Sequence, residues 1–455
     1  MKFYFILLFA AISIFCRMHI LGMLQAYAST GEMYGYGSRA SALGNTILGG
    51  STESFATFYN PAANSSRSGL NISLGVSYAH PRFISINNVT IANSAVASDT
   101  GDRLGPVDTT AYLDHLGQAL GISFNLGEKL KNLSLGVTGF LPVMRLAYLD
   151  TGEPFLPEYF NYRSRTQRPQ IYTSLSATPV KDFHVASGIA FSTNIASTAA
   201  LTPSAAARSV SHARFSTTIK PGAAPYFSAF FKKTTFEAAS TIRLPNRYRI
   251  SIDTNANARV LGTAGDLPVV VNLSSALYYD PFEVDLGFGI NLTGGARFIM
   301  EADWLNYKAY ESPSLTVIDR GSVAKFQNSV NNLPQMRNII VPKVGYEQSI
   351  GMITSRLGYF FRQSPIKSNS GPGNLVDPTK HVFTAGLGTD LKTLKLTDKS
   401  IALDLHFQYH WLVKQRVNKD PGNEAGTAEQ TKVGAPGYDI GGNIYGGGFS
   451  LSANF

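Results

Sequence analysis

The stretch Ile401-Ala402-Leu403-Asp404-Leu405-His406-Phe407-Gln408-Tyr409-His410-Trp411 sets the architecture. In an extended chain, Ile401, Leu403, Leu405, Phe407, Tyr409 and Trp411 share one face and Asp404, His406, Gln408 and His410 the other, because successive strand side chains point to opposite sides. A helix would scatter both sets around its axis. The polar face carries an acid, two histidines and an amide, which suits a wet lumen better than the dry core of a sandwich. The two histidines stand about 13 Å apart at ~3.3 Å per residue, too far to share a metal.

The same rhythm recurs upstream. Leu70, Ile72, Leu74, Val76 and Tyr78 alternate with Asn71, Ser73, Gly75 and Ser77; Leu120, Ile122, Phe124 and Leu126 with Gly121, Ser123 and Asn125; Phe282, Val284, Leu286, Phe288 and Ile290 with Glu283, Asp285, Gly287 and Gly289. Further runs lie near 132–141, 170–178, 183–195, 223–233, 234–255, 268–279, 295–305, 338–350, 352–361, 380–390 and 442–455, giving roughly fourteen to sixteen strands. Many reach about ten residues, enough to cross a bilayer at a tilt. In hydrocarbon every peptide group must bond within the protein, so strands span only as a closed barrel. The prediction is an all-β, transmembrane, antiparallel β-barrel.

Composition agrees. Of 455 residues only 15% are charged while 44% are hydrophobic, with 42 Gly, 28 Phe and 22 Tyr. That charge content is below the ~25% of soluble domains, so neither a disordered chain nor an ordinary soluble enzyme fits. The longest apolar run, Phe3 to Phe15, is shorter than the ~20 residues of a spanning helix, which excludes a helical transporter. It follows Lys2 and precedes the small-residue end Ala26-Tyr27-Ala28, so residues 1–28 read as a secretory signal. The single cysteine, Cys16, lies within that signal, behind the bulky Phe15, so neither a lipid anchor nor a disulfide is expected. The net charge of +9 comes from scattered basic residues. In an exported chain it points to anionic lipid and lipopolysaccharide, or to a plain solvated surface, rather than to nucleic acid. Short connections at 125–131, 177–182 and 390–399 contrast with long polar ones near 84–114, 148–168, 197–224, 312–337, 363–379 and 415–439, the asymmetry of an outer-membrane barrel.

Behind the signal the chain reads Met33-Tyr34-Gly35-Tyr36-Gly37, then Ala42-Leu43-Gly44, then Gly49-Gly50 and Asn60-Pro61-Ala62. This resembles the opening of the FadL/TodX (OMPP1) family of outer-membrane transporters of hydrophobic compounds, whose hatch carries small residues followed by Asn-Pro-Ala. The resemblance continues through Phe236 to Asp253, Trp304 to Tyr307, Gly358 to Pro365 and His381 to Gly388. It departs at Leu273-Ser274, where the family often has Leu-Pro. It implies a barrel of about 14 strands over residues 66–455 in the outer membrane of a Gram-negative bacterium, with residues 29–65 as a hatch filling the lumen. It further implies a monomer that admits long-chain fatty acids or hydrocarbons by passive diffusion and releases them through a lateral opening, without a cofactor. The C-terminal aromatic, Phe455, is by the same resemblance an assembly signal read by the barrel-assembly machinery.

The candidate site residues follow from this frame. Gly44 is expected to allow a tight turn in a crowded lumen, and Asn60, Pro61 and Ala62 to form either a structural corner or part of a gate. Arg337, eight residues before Gly345, matches a basic family position that helps hold a fatty-acid headgroup; the plainer reading is a solvated loop arginine. Arg163, Arg165 and Arg168 lie with Tyr159, Phe160 and Tyr162 in a long loop, where they meet anionic lipid or substrate or simply face water. No Gly-x-Ser-x-Gly, His-Glu-x-x-His or exported cysteine speaks for enzymology or a metal. Three other functions remain open: a general porin, a barrel phospholipase and an adhesin-type structural barrel.

Overall fold

A computed structural model describes residues 30–90, 104–109, 112–127, 130, 132, 133–144, 156–162, 168–202, 212–259, 266–310, 316–319, 334–369, 373–419 and 434–455. Residues 1–28 lie outside these. Fourteen strands form the ring: β1 Leu70–Phe83, β2 His115–Asn125, β3 Leu133–Pro142, β4 Gln170–Val180, β5 Phe183–Thr202, β6 His212–Lys232, β7 Phe236–Arg243, β8 Glu283–Asn291, β9 Ala296–Leu305, β10 Ile339–Ile350, β11 Ile353–Arg362, β12 Lys380–Asp390, β13 Ile401–Asn418 and β14 Gly437–Asn454. Each pairs antiparallel with its neighbours in chain order, and β14 returns to β1 from Asn71↔Asn454 to Phe83↔Gly442. The closed ring leaves no unpaired edge around its circumference.

The burial pattern is inside out compared with a soluble barrel. Leu120, Leu286, Leu357, Leu387 and Phe407 are exposed on the outer wall, Leu286 at 58%, whereas Glu283, Asp285, Glu301, Asp303 and Arg356 face inward and are buried. Alternation sends apolar residues to lipid and polar ones to the lumen, as the sequence predicts. Turns such as Gly351–Met352 and Leu292–Gly295 sit at one end with both barrel termini, and the long connections sit at the other.

Two expectations need correction. The run 234–255 is not one strand: it breaks at Leu244-Pro245, and β7 pairs directly with β8. Asn246–Arg259 and Asp266–Asp280 instead form a hairpin outside the ring, the first of them running parallel to the upper part of β5. Proline at the break cannot donate to a ladder, which ends the strand there. Within the expected loop 197–224, residues 197–202 and 212–224 are instead the tops of β5 and β6, paired through to Thr202↔His212.

Candidate functional site

Residues 30–66 lie within the ring. They fold into α1 Thr30–Met33, α2 Ser38–Ala42, α3 Ile47–Gly50, α4 Ala56–Tyr59 and a 3-10 turn Pro61–Ser66. Glycine keeps these pieces short: Gly35, Gly37 and Gly44 take φ of 82, 81 and 72°, where other residues are strained. Thr46 starts α3, its hydroxyl accepting from Gly49 N at 3.1 Å.

The wall holds this segment largely by its peptide groups. Gln408 donates to Tyr34 O at 3.0 Å, Thr384 to Ala42 O at 2.8 Å, Lys343 to Asn45 O at 2.9 Å, Arg297 to Leu48 O at 3.2 Å, Arg243 to Phe58 O at 2.8 Å and Thr241 to Tyr59 O at 2.9 Å. In return Ser450, Glu301 and Ser228 accept from the amides of Ser38, Ile47 and Ala62 at 3.0, 2.6 and 2.8 Å. These partners come from seven strands between β6 and β14, and Ser73 on β1 and Thr138 on β3 bond the amide and carbonyl of Ser54, so the inward polar face is matched to a peptide surface. On the face quoted at the outset, His406 Nδ1 lies 2.9 Å from Ser38 Oγ and Asp404 is paired with Arg356.

The closest approach is at Gly44. A Cβ there would lie 3.2 Å from Val344 O and 3.3 Å from Tyr359 N, and a Cβ on the facing Gly358 would overlap Gly44 N. Gly345 and Gly358 are cross-strand partners, so they clear a flat window in the wall for the Leu43-Gly44 backbone. The Asn60-Pro61-Ala62 corner is fully buried. Asn60 Nδ2 donates to Ser51 Oγ at 3.0 Å and Pro61 opens the 3-10 turn, a position that needs no N–H.

Buried ion pairs surround the segment. Arg39 and Arg356 both reach Glu347, at 2.7 and 2.6 Å, and Arg356 continues to Asp404 at 2.5 Å. Lys343 pairs with Glu301 at 2.9 Å and Asp303 at 2.6 Å, Arg297 with Glu237 at 2.5 Å, and Arg243 with Glu283 at 3.3 Å and with Asp285. Glu283, Asp285 and Asp303 bring carboxylate oxygens within 4.8 Å of one another, a spacing a cation could use. Arg243 and Lys343 already supply positive charge there, so we read the trio as part of the ion-pair network.

Toward the long-loop end two apolar clusters meet. Tyr34, Ile86, Tyr159, Tyr162 and Leu412 belong to one, and Phe160, Leu305, Tyr307, Ile339 and Phe360 to the other. Arg362 and Lys380, cross-strand partners on β11 and β12, lie at their junction and are 4% and 2% exposed. Lys380 Nζ donates to Tyr162 OH and lies 3.3 Å from Asp377; Arg362 donates to Tyr307 OH and lies 4.0 Å from Glu32. Arg362 Nε has no hydrogen-bond partner among the described residues. Two buried cations in an apolar, tyrosine-rich setting are suited to an anionic headgroup with an apolar tail.

Arg337 is close in the chain to neither, but its Nε donates to Ser364 O at 2.9 Å and its amide to Pro365 O at 2.8 Å, just beyond Arg362. It is half-buried rather than free in solvent. Arg168 is no surface cation: it is 2% exposed and paired with Asp280. Arg163 and Arg165 lie outside the described residues. Phe455 closes the ring, exchanging backbone bonds with Leu70 at 2.8 and 3.0 Å, and its side chain is exposed. Phe58, Tyr172, Tyr226 and Arg243 border a cavity of about 20 Å³, room for little more than the ~10–15 Å³ a water needs.

Sequence reading found none of Arg362, Lys380 or Lys343. Each falls within a predicted strand or just past its end, and only the register of neighbouring strands brings them into pairs.

Neither a scan of protein-family models nor a search of curated proteins gave a match. Solved structures do resemble the chain. A FadL homologue of Pseudomonas aeruginosa superposes with a TM-score of 0.55 at 12% identity, covering 95% of this chain and 99% of that one. The toluene transporter TodX of Pseudomonas putida superposes at 0.50 and 13% identity, covering 93% and 99%, and a second TodX structure at 0.51 and 11%, covering 95% and 100%. At such identities the likeness is one of fold. The chain is a closed fourteen-stranded β-barrel with an apolar outer wall and the fold of the FadL and TodX channels.

Proposed function

We propose that this barrel admits hydrophobic small molecules through the outer membrane by passive diffusion, with long-chain fatty acids as the preferred class. The observation that carries the reading is the buried Arg362–Lys380 pair between two apolar clusters at the long-loop end. An alkyl chain partitions into such a setting at about 0.8 kcal/mol per methylene, and the cations answer the carboxylate. Arg337 guides the headgroup toward this pair. Residues 30–66 act as the plug, with Gly44 and the Asn60-Pro61-Ala62 corner as its seal, and the ligand leaves sideways through the wall once the plug shifts. The toluene transport named for TodX fits a hydrophobic substrate but not the buried cations, which favour an acid. A general porin is disfavoured by a lumen already matched to residues 30–66.

The test is uptake of labelled oleate and toluene by a deletion strain carrying either the wild-type chain or Arg362→Met/Lys380→Met. Oleate uptake restored by the wild type and lost in the double variant, with toluene unaffected, supports the reading. Equal uptake with and without the protein removes it.

A further inference from the structure

The outer wall carries a feature that the uptake reading does not use. On β1, Arg82 points outward and stacks over Tyr445, its guanidinium carbon 6.0 Å from the ring centre. On β13, Trp411 faces outward opposite Asn443, and Arg416 stands opposite Asp439. Five residues on β13 therefore span four on β14, because a bulge falls between Leu412 and Gln415. The bulge reverses which residues face out. Without it Lys414 and Arg416 would point into the lumen and Val417 into lipid; with it, the side chains of Lys414 and Arg416 are 66% and 50% exposed while Val417 is buried in an inner cluster.

The three cations lie on the two strands that flank β14, so they are separated laterally by about two strand spacings, ~10 Å. Among the described residues Asp439 is the one carboxylate paired with them, at 3.1 Å from Lys414 and 3.5 Å from Arg416, which leaves the group positive. Directly below runs a row of outward aromatic residues: Tyr409 and Tyr445 with ring centres 5.4 Å apart, and Trp411 and His381 at 5.3 Å. Such a row marks the level where hydrocarbon gives way to headgroups. The long connections put this end on the extracellular side, where the headgroups carry phosphate.

We infer that Arg82, Lys414 and Arg416 form a binding site for the phosphate groups of lipopolysaccharide, astride β14. Arginine fits phosphate with paired donors, and long basic side chains keep their stems along the wall while the charge reaches the headgroup level. The inference depends on the outer-membrane setting and stands independently of what the lumen carries.

The experiment uses the full-length barrel refolded in detergent, incubated with lipopolysaccharide, dephosphorylated lipopolysaccharide or phosphatidylglycerol. Retained lipid is counted by native mass spectrometry after washing. Wild type is expected to retain phosphorylated lipopolysaccharide at least about tenfold more than Arg82→Glu/Lys414→Glu/Arg416→Glu and more than either other lipid, a difference near 1.4 kcal/mol. Heat-modifiable gel migration checks that the variant folds, and Arg82→Lys/Lys414→Arg/Arg416→Lys, which keeps the charge, is expected to retain the lipid. A matching charge reversal at the turn end, Lys392→Glu/Lys395→Glu/Lys399→Glu, is expected to change nothing. Equal retention by the first variant, equal loss in the turn-end variant, or equal retention of dephosphorylated lipid overturns the site. Preferential retention of phosphatidylglycerol overturns the assignment to lipopolysaccharide.

Discussion

Gly44 and Gly127 both adopt positive φ, 72 and 83°, yet only Gly44 is pressed against other atoms. Alanine at either position costs about 1 kcal/mol of backbone strain. At Gly44 the added carbon also meets Val344 O and the Tyr359 backbone, so Gly44→Ala is expected to lift the inner segment and raise ion conductance in planar bilayers. Gly127→Ala, with open space around it, is expected to leave conductance at the wild-type level. Identical traces from the two variants would reject the close fit as a seal. Lys343 offers a second test at this scale. Among the described residues it is the one cation within salt-bridge distance of both Glu301 and Asp303, so Lys343→Met strands two buried carboxylates. The expected loss is about 3–5 kcal/mol, read as a lower urea midpoint for barrels in lipid vesicles.

Among elements, the anchor of the chain entering β2 is sensitive to acid. Asp114 accepts from Tyr78 OH and lies 2.6 Å from His80 Nδ1, both on the outer face of β1. Burial pushes its carboxyl up, but the bonds from Tyr78 and His80 outweigh this and hold it below the usual range. A depressed acid stabilises fully above its unfolded pKa, about 3.9, and the effect is lost as pH falls through the lower folded value. Amide protection of residues 112–116, corrected for intrinsic exchange, is therefore expected to persist at about pH 5 and to decline as pH falls below the unfolded carboxyl's value of about 3.9. Asp114→Asn is expected to abolish that pH step. On the wall itself, Leu286→Arg puts a charge on the exposed face of β8 at mid-strand and is expected to cost about 2–4 kcal/mol in urea unfolding from lipid vesicles, against little for Leu292→Arg in the adjoining turn. Elements were legible where polarity alternated, as over 401–411. They were misread where β-rich composition ran past the ring: 246–259 and 268–279 have strand character and are strands, but nothing local tells a chain that it pairs above the wall rather than in it. Arg168 was misplaced for the same reason, since its partner Asp280 is distant in sequence and arrives only with the outer hairpin.

For the whole molecule, closure between β1 and β14 and occupation of the lumen are separable. A chain lacking residues 30–66 still has every ring pairing, so it is expected to remain heat-modifiable on gels while its conductance rises toward that of an open pore. Failure of that chain to fold, or an unchanged conductance, would show that the inner segment builds the barrel or does not close it. The closed all-β shape was legible because a bilayer leaves few alternatives to a chain of alternating polarity. The position of each inward charge was not, because register decides it.

The manner in which the lumen grips the inner segment has a consequence for inheritance. Peptide N–H and C=O groups are the same whichever amino acid bears them, so bonds such as those from Lys343, Thr384 and Gln408 survive most replacements among the residues they hold. Away from the positive-φ glycines and from side chains such as Arg39 that reach the wall, the side chains of residues 30–66 can therefore be revised while these bonds persist.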